Sequence, residues 1–518
     1  MRGLLSWLQE QRSSTRLAFL LQTASRLTTA ALTLLWTRLL VQAMGVELNG
    51  LWLAFQAVAT LGGLGDLGMG GAVNIRAGRL IGQNDEAGLQ QFLASARALF
   101  LVLAAGAAFV VVACSPWLPG WLELRRVAGS GSLPLLLTFA GLGFIPIIVH
   151  SYIGNLNYAC GNLIWPIVPA FLFSQAALAA HWLLARSQAP LWLQYLPYVL
   201  TGGLSMLLIW WFVRVSHPNL AGILPLRFRW NEWRQFAGQS FWMYLWGLGC
   251  AVYTSIDRVA INAGFGASLV PAYHNNYKVC ELALFAISAA SFAAMPKITR
   301  WLAAAGAERA RGVEEVLRLN RVQILLSCTA ALVYLAVNDL FIRIWFAGVG
   351  DFRVPLSWQY AFALSLAITG ASDAAVQVSP RCCDRGLRVS GLAVGVTALL
   401  KVALTYLAMK AGSILGIALA TVAAQSFLLL SMSRFVCREL NLPWGPWFLR
   451  TWLLPVGIVS LAYAARSAWS WNNLPQAVLM LGFNALLLVV VSWGSGIKAA
   501  LIREELKIVT AIFPKRRQ

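Results

Sequence analysis

The chain has 518 residues, 59% of them hydrophobic and only 11% charged, and its mean hydropathy is +0.69. Soluble domains carry roughly 25% charged residues, so this composition excludes a soluble globular protein and describes one dissolved in a bilayer. The formal net charge of +21 would suit a nucleic-acid partner only as a basic stripe on a soluble module, and the sequence has no such module.

Residues 1–16, MRGLLSWLQEQRSSTR, lack the long apolar run and small-residue cleavage site of a secretory signal. Leu4, Leu5, Trp7 and Leu8 instead suit a short interfacial helix. Apolar stretches then follow almost end to end, each near the roughly 20 residues that a spanning helix needs. They are 17–40, 50–72, 96–114, 133–153, 163–185, 192–213, 237–262, 267–296, 321–345, 357–380, 389–408, 413–433, 450–466 and 474–495. Together they predict an all-α polytopic membrane protein with about fourteen transmembrane helices. The segments at 73–97 and 297–320 read as matching cytoplasmic amphipathic connectors.

Placing the N-terminus in the cytoplasm puts 28 Lys and Arg in the inside segments and their flanks and 7 outside, the other five of the forty lying within spans. That bias is the one the positive-inside rule requires for cytoplasmic N- and C-termini. The expected setting is a bacterial inner membrane. The 23 tryptophans fit interfacial anchoring, as at Trp117, Trp121, Trp469 and Trp471. The eight cysteines fall in spans or on the cytoplasmic side, so no disulfide framework is expected.

Compared with itself at an offset of 221, the chain repeats a pattern. Gly45 matches Gly266, Trp52 the aromatic Tyr273, Arg76 Lys297, and Arg79 Arg300; one residue out of step, Arg38 matches Arg258. Both copies start on the same side of the membrane, which predicts parallel lobes related by an axis along the membrane normal. The expected organisation is an interfacial segment at 1–16, an N-lobe at 17–213, a cytoplasmic linker at 214–236 and a C-lobe at 237–433. Residues 434–518 add two spans and a basic cytoplasmic tail.

Ionisable groups inside spans are costly and by default mark pathways or sites. The cationic ones are Arg26, Arg38, Arg258, Lys278 and Lys401; the acidic ones are Asp66, Asp257, Glu281 and Asp373. Arg26 lies too deep to snorkel easily, and the first and seventh spans are equivalent in the repeat, so Arg26, Arg38 and Arg258 suit a central cavity that attracts an anion. Simpler roles stand beside this one. Arg38 and Arg258 lie near outer span ends, where snorkelling accounts for them. Lys278 and Glu281 are three residues apart and can neutralise each other. Asp257 can serve Arg258 or a neighbouring contact, and Asp66 and Asp373 suit either coupling-ion carboxylates or helix-packing hydrogen bonds.

Other motifs carry less. Gly63, Gly65 and Gly68 spell G-x-G-x-x-G, but inside a span, where small residues serve close helix packing rather than a dinucleotide. No P-loop string occurs, and the four histidines show no metal-ligand spacing, so neither cofactor, metal nor catalytic residue is expected. His274, near Lys278, is the histidine of most interest.

The stretch RLLVQAMGVELNGLWLAFQAVATLGGLGDLGMGGAVNIRAG at 38–78 resembles the first hairpin of Wzx-type polysaccharide flippases of the multidrug/oligosaccharidyl-lipid/polysaccharide exporter superfamily. SIDRVAINAGFGASLVPAYHNNYKV at 255–279 is similar to their seventh-to-eighth span. The resemblance implies a two-lobe cavity opening alternately to each face, with a prenyl tail left in lipid and a diphosphate-sugar head passing inside. It implies that Arg26, Arg38, Arg258 and Lys278 are the basic cavity residues, and that the last two spans are additions to a twelve-helix body.

The expected function is therefore translocation of an anionic undecaprenyl-diphosphate-linked oligosaccharide to the outer face, for O-antigen, capsule or exopolysaccharide synthesis. The expected partners are that lipid-linked oligosaccharide, membrane lipids and a polysaccharide polymerase or co-polymerase. A small-molecule or multidrug exporter of the same superfamily is the nearest alternative. A membrane-embedded glycan polymerase, ligase or acyltransferase is a third, disfavoured by the short outside loops and by the lack of a polar catalytic cluster.

Overall fold

The computed structural model describes residues 15–61, 68–82, 85–116, 133–160, 167–216, 230–303, 306–383, 385–468 and 474–494. All regular structure among them is helical. In order the helices are α1 (Thr15–Met44), α2 (Val46–Leu61), α3 (Met69–Gly82), α4 (Glu86–Cys114), α5 (Leu133–Ala159), α6 (Ile167–Arg186), α7 (Leu191–Ser216) and α8 (Trp230–Phe265). Then come α9 (Leu269–Ala303), α10 (Ala307–Trp345), α11 (Leu356–Val378), α12 (Gly386–Lys410), α13 (Ile414–Glu439), α14 (Trp444–Phe448), a π-helical turn (Leu449–Leu453), α15 (Leu454–Ala468) and α16 (Leu474–Gly494). With α2 and α3 counted together, and α14 and α15 together, these elements supply about fourteen membrane-length units. Among the described residues, nine helices are long and apolar enough by composition to cross a bilayer. Residues 1–14 of the expected interfacial segment, most of the 214–236 linker and the C-terminal tail lie outside the described residues.

Two compact units emerge: residues 1–278 with 345–352 and 387–420, and residues 279–344 with 353–386 and 421–518. In the first, α5 packs between α4 and α7, α6 packs on α1 and α7, and α2 and α3 lie along α8. Its core joins Phe92, Phe100, Phe144, Ile148 and Tyr152, while a second cluster gathers Leu51, Trp52, Phe55 and Tyr195. In the second unit, α11 packs on α15 and α15 on α16. Lipid offers no hydrophobic drive for helices to associate, so packing and interhelical hydrogen bonds must hold them. Asn484 donates to the Leu332 carbonyl at 2.9 Å, Arg466 to Gln359 at 3.1 Å, and the Tyr360 and Ser460 hydroxyls meet at 2.9 Å. Phe109 and Leu399 are each 73% exposed, a placement stable only with acyl chains as solvent.

The amphipathic connectors differ from expectation in form: they are helix ends rather than loops. α3 runs to Gly82 and α4 starts at Glu86, with the Asp85 carboxylate accepting from the Gly88 N–H at 2.8 Å. α10 begins at Ala307, fourteen residues ahead of the predicted 321–345 span. Charge marks where hydrocarbon ends, but Ala, Glu, Arg and Leu remain good helix formers beyond it.

Candidate functional site

The glycine turns of the repeat are present. Gly45 joins α1 to α2 with φ +80°, and Gly266 lies between α8 and α9 with φ +100°; both values favour glycine. Each turn launches a helix whose matched aromatic is buried: Trp52 is 1% exposed and Tyr273 2%. Gly68, last of the G-x-G-x-x-G string, backs onto α8, where an added Cβ would stand 2.4 Å from the Tyr244 backbone nitrogen. Its role is close helix approach; Gly63, Gly65 and Asp66 lie outside the described residues.

In the first copy, the Trp52 ring centroid is 4.2 Å from that of His181 on α6. His181 Nδ1 lies 2.9 Å from the Tyr198 hydroxyl and Nε2 3.2 Å from Gln194 Oε1. Gln194 Nε2 donates to the Ala189 carbonyl at 2.6 Å, which leaves Oε1 as acceptor. Nε2 of His181 therefore carries the proton and Nδ1 accepts from Tyr198. Every polar atom of the imidazole is engaged within the packing, so His181 is structural.

In the second copy, the Tyr273 hydroxyl donates to Asp257 Oδ2 at 2.9 Å. Lys401 of α12 reaches the same carboxylate, its Nζ 2.7 Å from Oδ1 and 3.0 Å from Oδ2, with the ammonium 5.4 Å from the Tyr253 ring centroid. Asp257 is thus partnered by a distant helix. Lys401 is fully buried, and it can meet a substrate only when this pair opens.

The remaining cations lie on other parts of the same helices and on α1. Arg258 of α8 and Lys278 of α9 are both half-buried, and both lie close enough to His274 to act on it electrostatically. Two cations thus lie near a buried histidine on the helices that the Gly266 turn joins. Arg38 is half-buried, its guanidinium 5.8 Å from the centroid of the Trp345 ring, a cation–π placement. Arg26 falls within α1, but its side chain lies outside the described residues. Glu281 is half-buried on α9.

Asp373, on α11 in the second unit, has the most elaborate setting. Ser291 donates to Oδ2, Gln323 Nε2 donates to Oδ2 at 2.8 Å, Ser288 to Oδ1 at 3.2 Å and Gln377 to Oδ1 at 3.5 Å. Gln323 Nε2 also bonds to the Ser291 hydroxyl, and its Oε1 accepts the Ala374 N–H at 2.7 Å, which fixes the amide. All these donors are neutral. A carboxylate so held can take up a proton or a monovalent cation without first breaking an ion pair. Sequence reading found Asp373 but not Ser288, Ser291 or Gln323, because single hydroxyls and amides in apolar helices carry no motif. Among the described residues, no group of three or more His, Cys, Asp or Glu is arranged to hold a metal ion.

No sequence-family profile matches the chain, nor does any curated protein sequence. Solved structures do match. The lipid II flippase MurJ, in an inward closed conformation, is similar with a TM-score of 0.68 at 12% identity, over 91% of this chain and 98% of that one. An inward-facing multidrug resistance MATE family transporter of the MOP superfamily gives 0.59 at 15% identity, over 81% of this chain and 99% of its own. A eukaryotic MATE transporter gives 0.58 at 11% identity, over 87% and 99%. At these identities the likeness establishes the fold: a multi-pass membrane architecture shared by flippases and exporters.

Proposed function

We propose that this protein is an alternating-access flippase that carries a prenyl-diphosphate-linked oligosaccharide from the cytoplasmic to the outer face of a bacterial inner membrane. The observation that carries this reading is the placement of Arg258 and Lys278 beside the buried His274, on the two helices that the Gly266 turn joins, together with Arg26 inside the equivalent first helix. A diphosphate cannot cross hydrocarbon unaided, since burying an isolated charge costs several to tens of kcal/mol. Arginine replaces its water with charge-assisted, often bidentate hydrogen bonds. With the cell interior negative, outward movement of each negative charge gains roughly 2.3 kcal/mol per 100 mV.

The MurJ likeness extends over more of this chain than the MATE likenesses just described. The biased placement of Lys and Arg supports cytoplasmic N- and C-termini. In this reading Arg26, Arg38, Arg258 and Lys278 line the cavity, while Lys401 joins them only when the Asp257 pair opens. A polysaccharide polymerase or co-polymerase receives the product outside.

The second reading, a small-solute exporter of the same superfamily, is favoured by one observation. Asp373 is a buried carboxylate with neutral donors, which suits a cationic solute or coupling ion. Proteoliposomes separate the two. Flipping of a fluorescent prenyl-diphosphate sugar, without uptake of a cationic dye, supports the flippase; dye transport without lipid movement supports the exporter.

A further inference from the structure

α10 and the α14–α15 rod border a groove of about 400 Å³, mouth included, whose lining contains Arg321, Trp447 and Arg450. A break in helical register lies at its wall. The Leu454 N–H bonds to the Leu449 carbonyl five residues back, giving the π turn that contains Arg450 and Thr451. Pro455, with no N–H, follows at once. Thr451 donates to Asn320 Oδ1 at 3.4 Å, and Asn320 donates to the Ala371 carbonyl at 2.8 Å, so the turn is tied to α10 beside the groove. Such π turns recur at functional sites.

The neighbouring arginines are occupied. Arg318 lies 3.9 Å from Glu315, Arg438 3.2 Å from Glu439, and Arg309 donates to the carbonyls of Leu302 and Glu439. Among the described residues, neither Arg321 nor Arg450 has a carboxylate within ion-pair distance. Two unneutralised guanidiniums on one groove call for an anion. Beside Arg450 the same rod exposes Leu449 by 55% and, one turn on, Leu453 by 41%. The charged groove thus adjoins apolar side chains that suit acyl chains, as a free inorganic anion would not require.

We propose that this groove binds the phosphate of an anionic phospholipid of the cytoplasmic leaflet, with Arg321 and Arg450 as its ligands and Leu449 and Leu453 against its tails. The leaflet assignment rests on the topology proposed above. The lipid is bulk phospholipid, distinct from the transported substrate, and its binding ties α10 to the π turn.

Native mass spectrometry of the full-length protein in detergent tests this with phosphatidylglycerol and phosphatidylcholine as probes. Wild type should retain phosphatidylglycerol about thirtyfold better than phosphatidylcholine, as two basic contacts imply. Arg321→Ala/Arg450→Ala should lose that preference while keeping the wild-type melting profile, and Arg321→Lys/Arg450→Lys should keep part of it. Equal retention of both lipids by wild type, an undiminished preference in the double alanine variant, or displacement of phosphatidylglycerol by inorganic phosphate or by undecaprenyl diphosphate would overturn the proposal. The readout needs neither transport nor sidedness, so failure here leaves the flippase reading intact, and failed flipping with lipid retention intact overturns only that reading.

Discussion

Gly50 of α2 lies against Pro271 of α9, which is its own counterpart at the 221-residue offset. A Cβ on Gly50 would stand 3.2 Å from Pro271 Cδ and only 1.7 Å from the Ala267 carbonyl oxygen. Contact between equivalent residues is what an axis along the membrane normal demands of those nearest it. Only glycine permits this approach, so Gly50→Val should overpack the contact and cost about 1–3 kcal/mol. Thermal unfolding in detergent reads the loss; unchanged stability would mean that the two helices do not meet there.

The Asp257–Lys401 pair is predicted to be strongly non-additive. Its partners are 7% and 0% exposed, and removing one partner of a buried pair typically costs about 3–5 kcal/mol by stranding the other. Lys401→Met and Asp257→Asn should each destabilise the protein, and the double variant should recover much of the loss. A double-mutant cycle with no coupling would show that the pair does not exist in the membrane.

His181→Phe should preserve ring packing on Trp52 yet leave the Tyr198 hydroxyl and Gln194 Oε1 without their partner. Each buried orphan costs about 1–3 kcal/mol, so stability should fall while transport per folded molecule stays at the wild-type level. Loss of transport with full stability would instead assign His181 a functional role.

Much of the fold was legible because a bilayer imposes length and polarity on every span. The 357–380 and 389–408 spans correspond closely to α11 and α12, at Leu356–Val378 and Gly386–Lys410. Helix continuation past charged residues, as at 307–320, was hidden because hydropathy measures the solvent rather than the backbone. The site was less legible. Asp257 finds Lys401 144 residues away, and Asp373 finds Ser291 82 and Gln323 50 residues away. Such pairings exist only after helices pack. The repeat located its aromatic positions, but not that Trp52 would meet a neutral His181 network while Tyr273 meets a charged pair. Asp66 and the Arg26 side chain lie outside the described residues.

Asp373→Asn keeps the side-chain shape but exchanges one acceptor oxygen for a donor amide and removes the charge. If this carboxylate carries the coupling ion, lipid flipping in proteoliposomes should lose its response to an imposed proton or sodium gradient while its response to membrane potential remains. A variant whose gradient response matches wild type would exclude Asp373 from coupling and leave its cage as helix packing.

The central claim is that cations within the first and seventh predicted spans carry a diphosphate across. The most direct measurement is the rate of flipping of a fluorescent prenyl-diphosphate sugar in proteoliposomes with wild type, Arg26→Ala, Arg258→Ala and the corresponding lysine variants, matched for inserted protein. The account predicts that each alanine variant loses flipping and that each lysine variant regains part of it, since lysine restores charge without the bidentate fork. Wild-type flipping by the Arg26→Ala/Arg258→Ala double variant would contradict it.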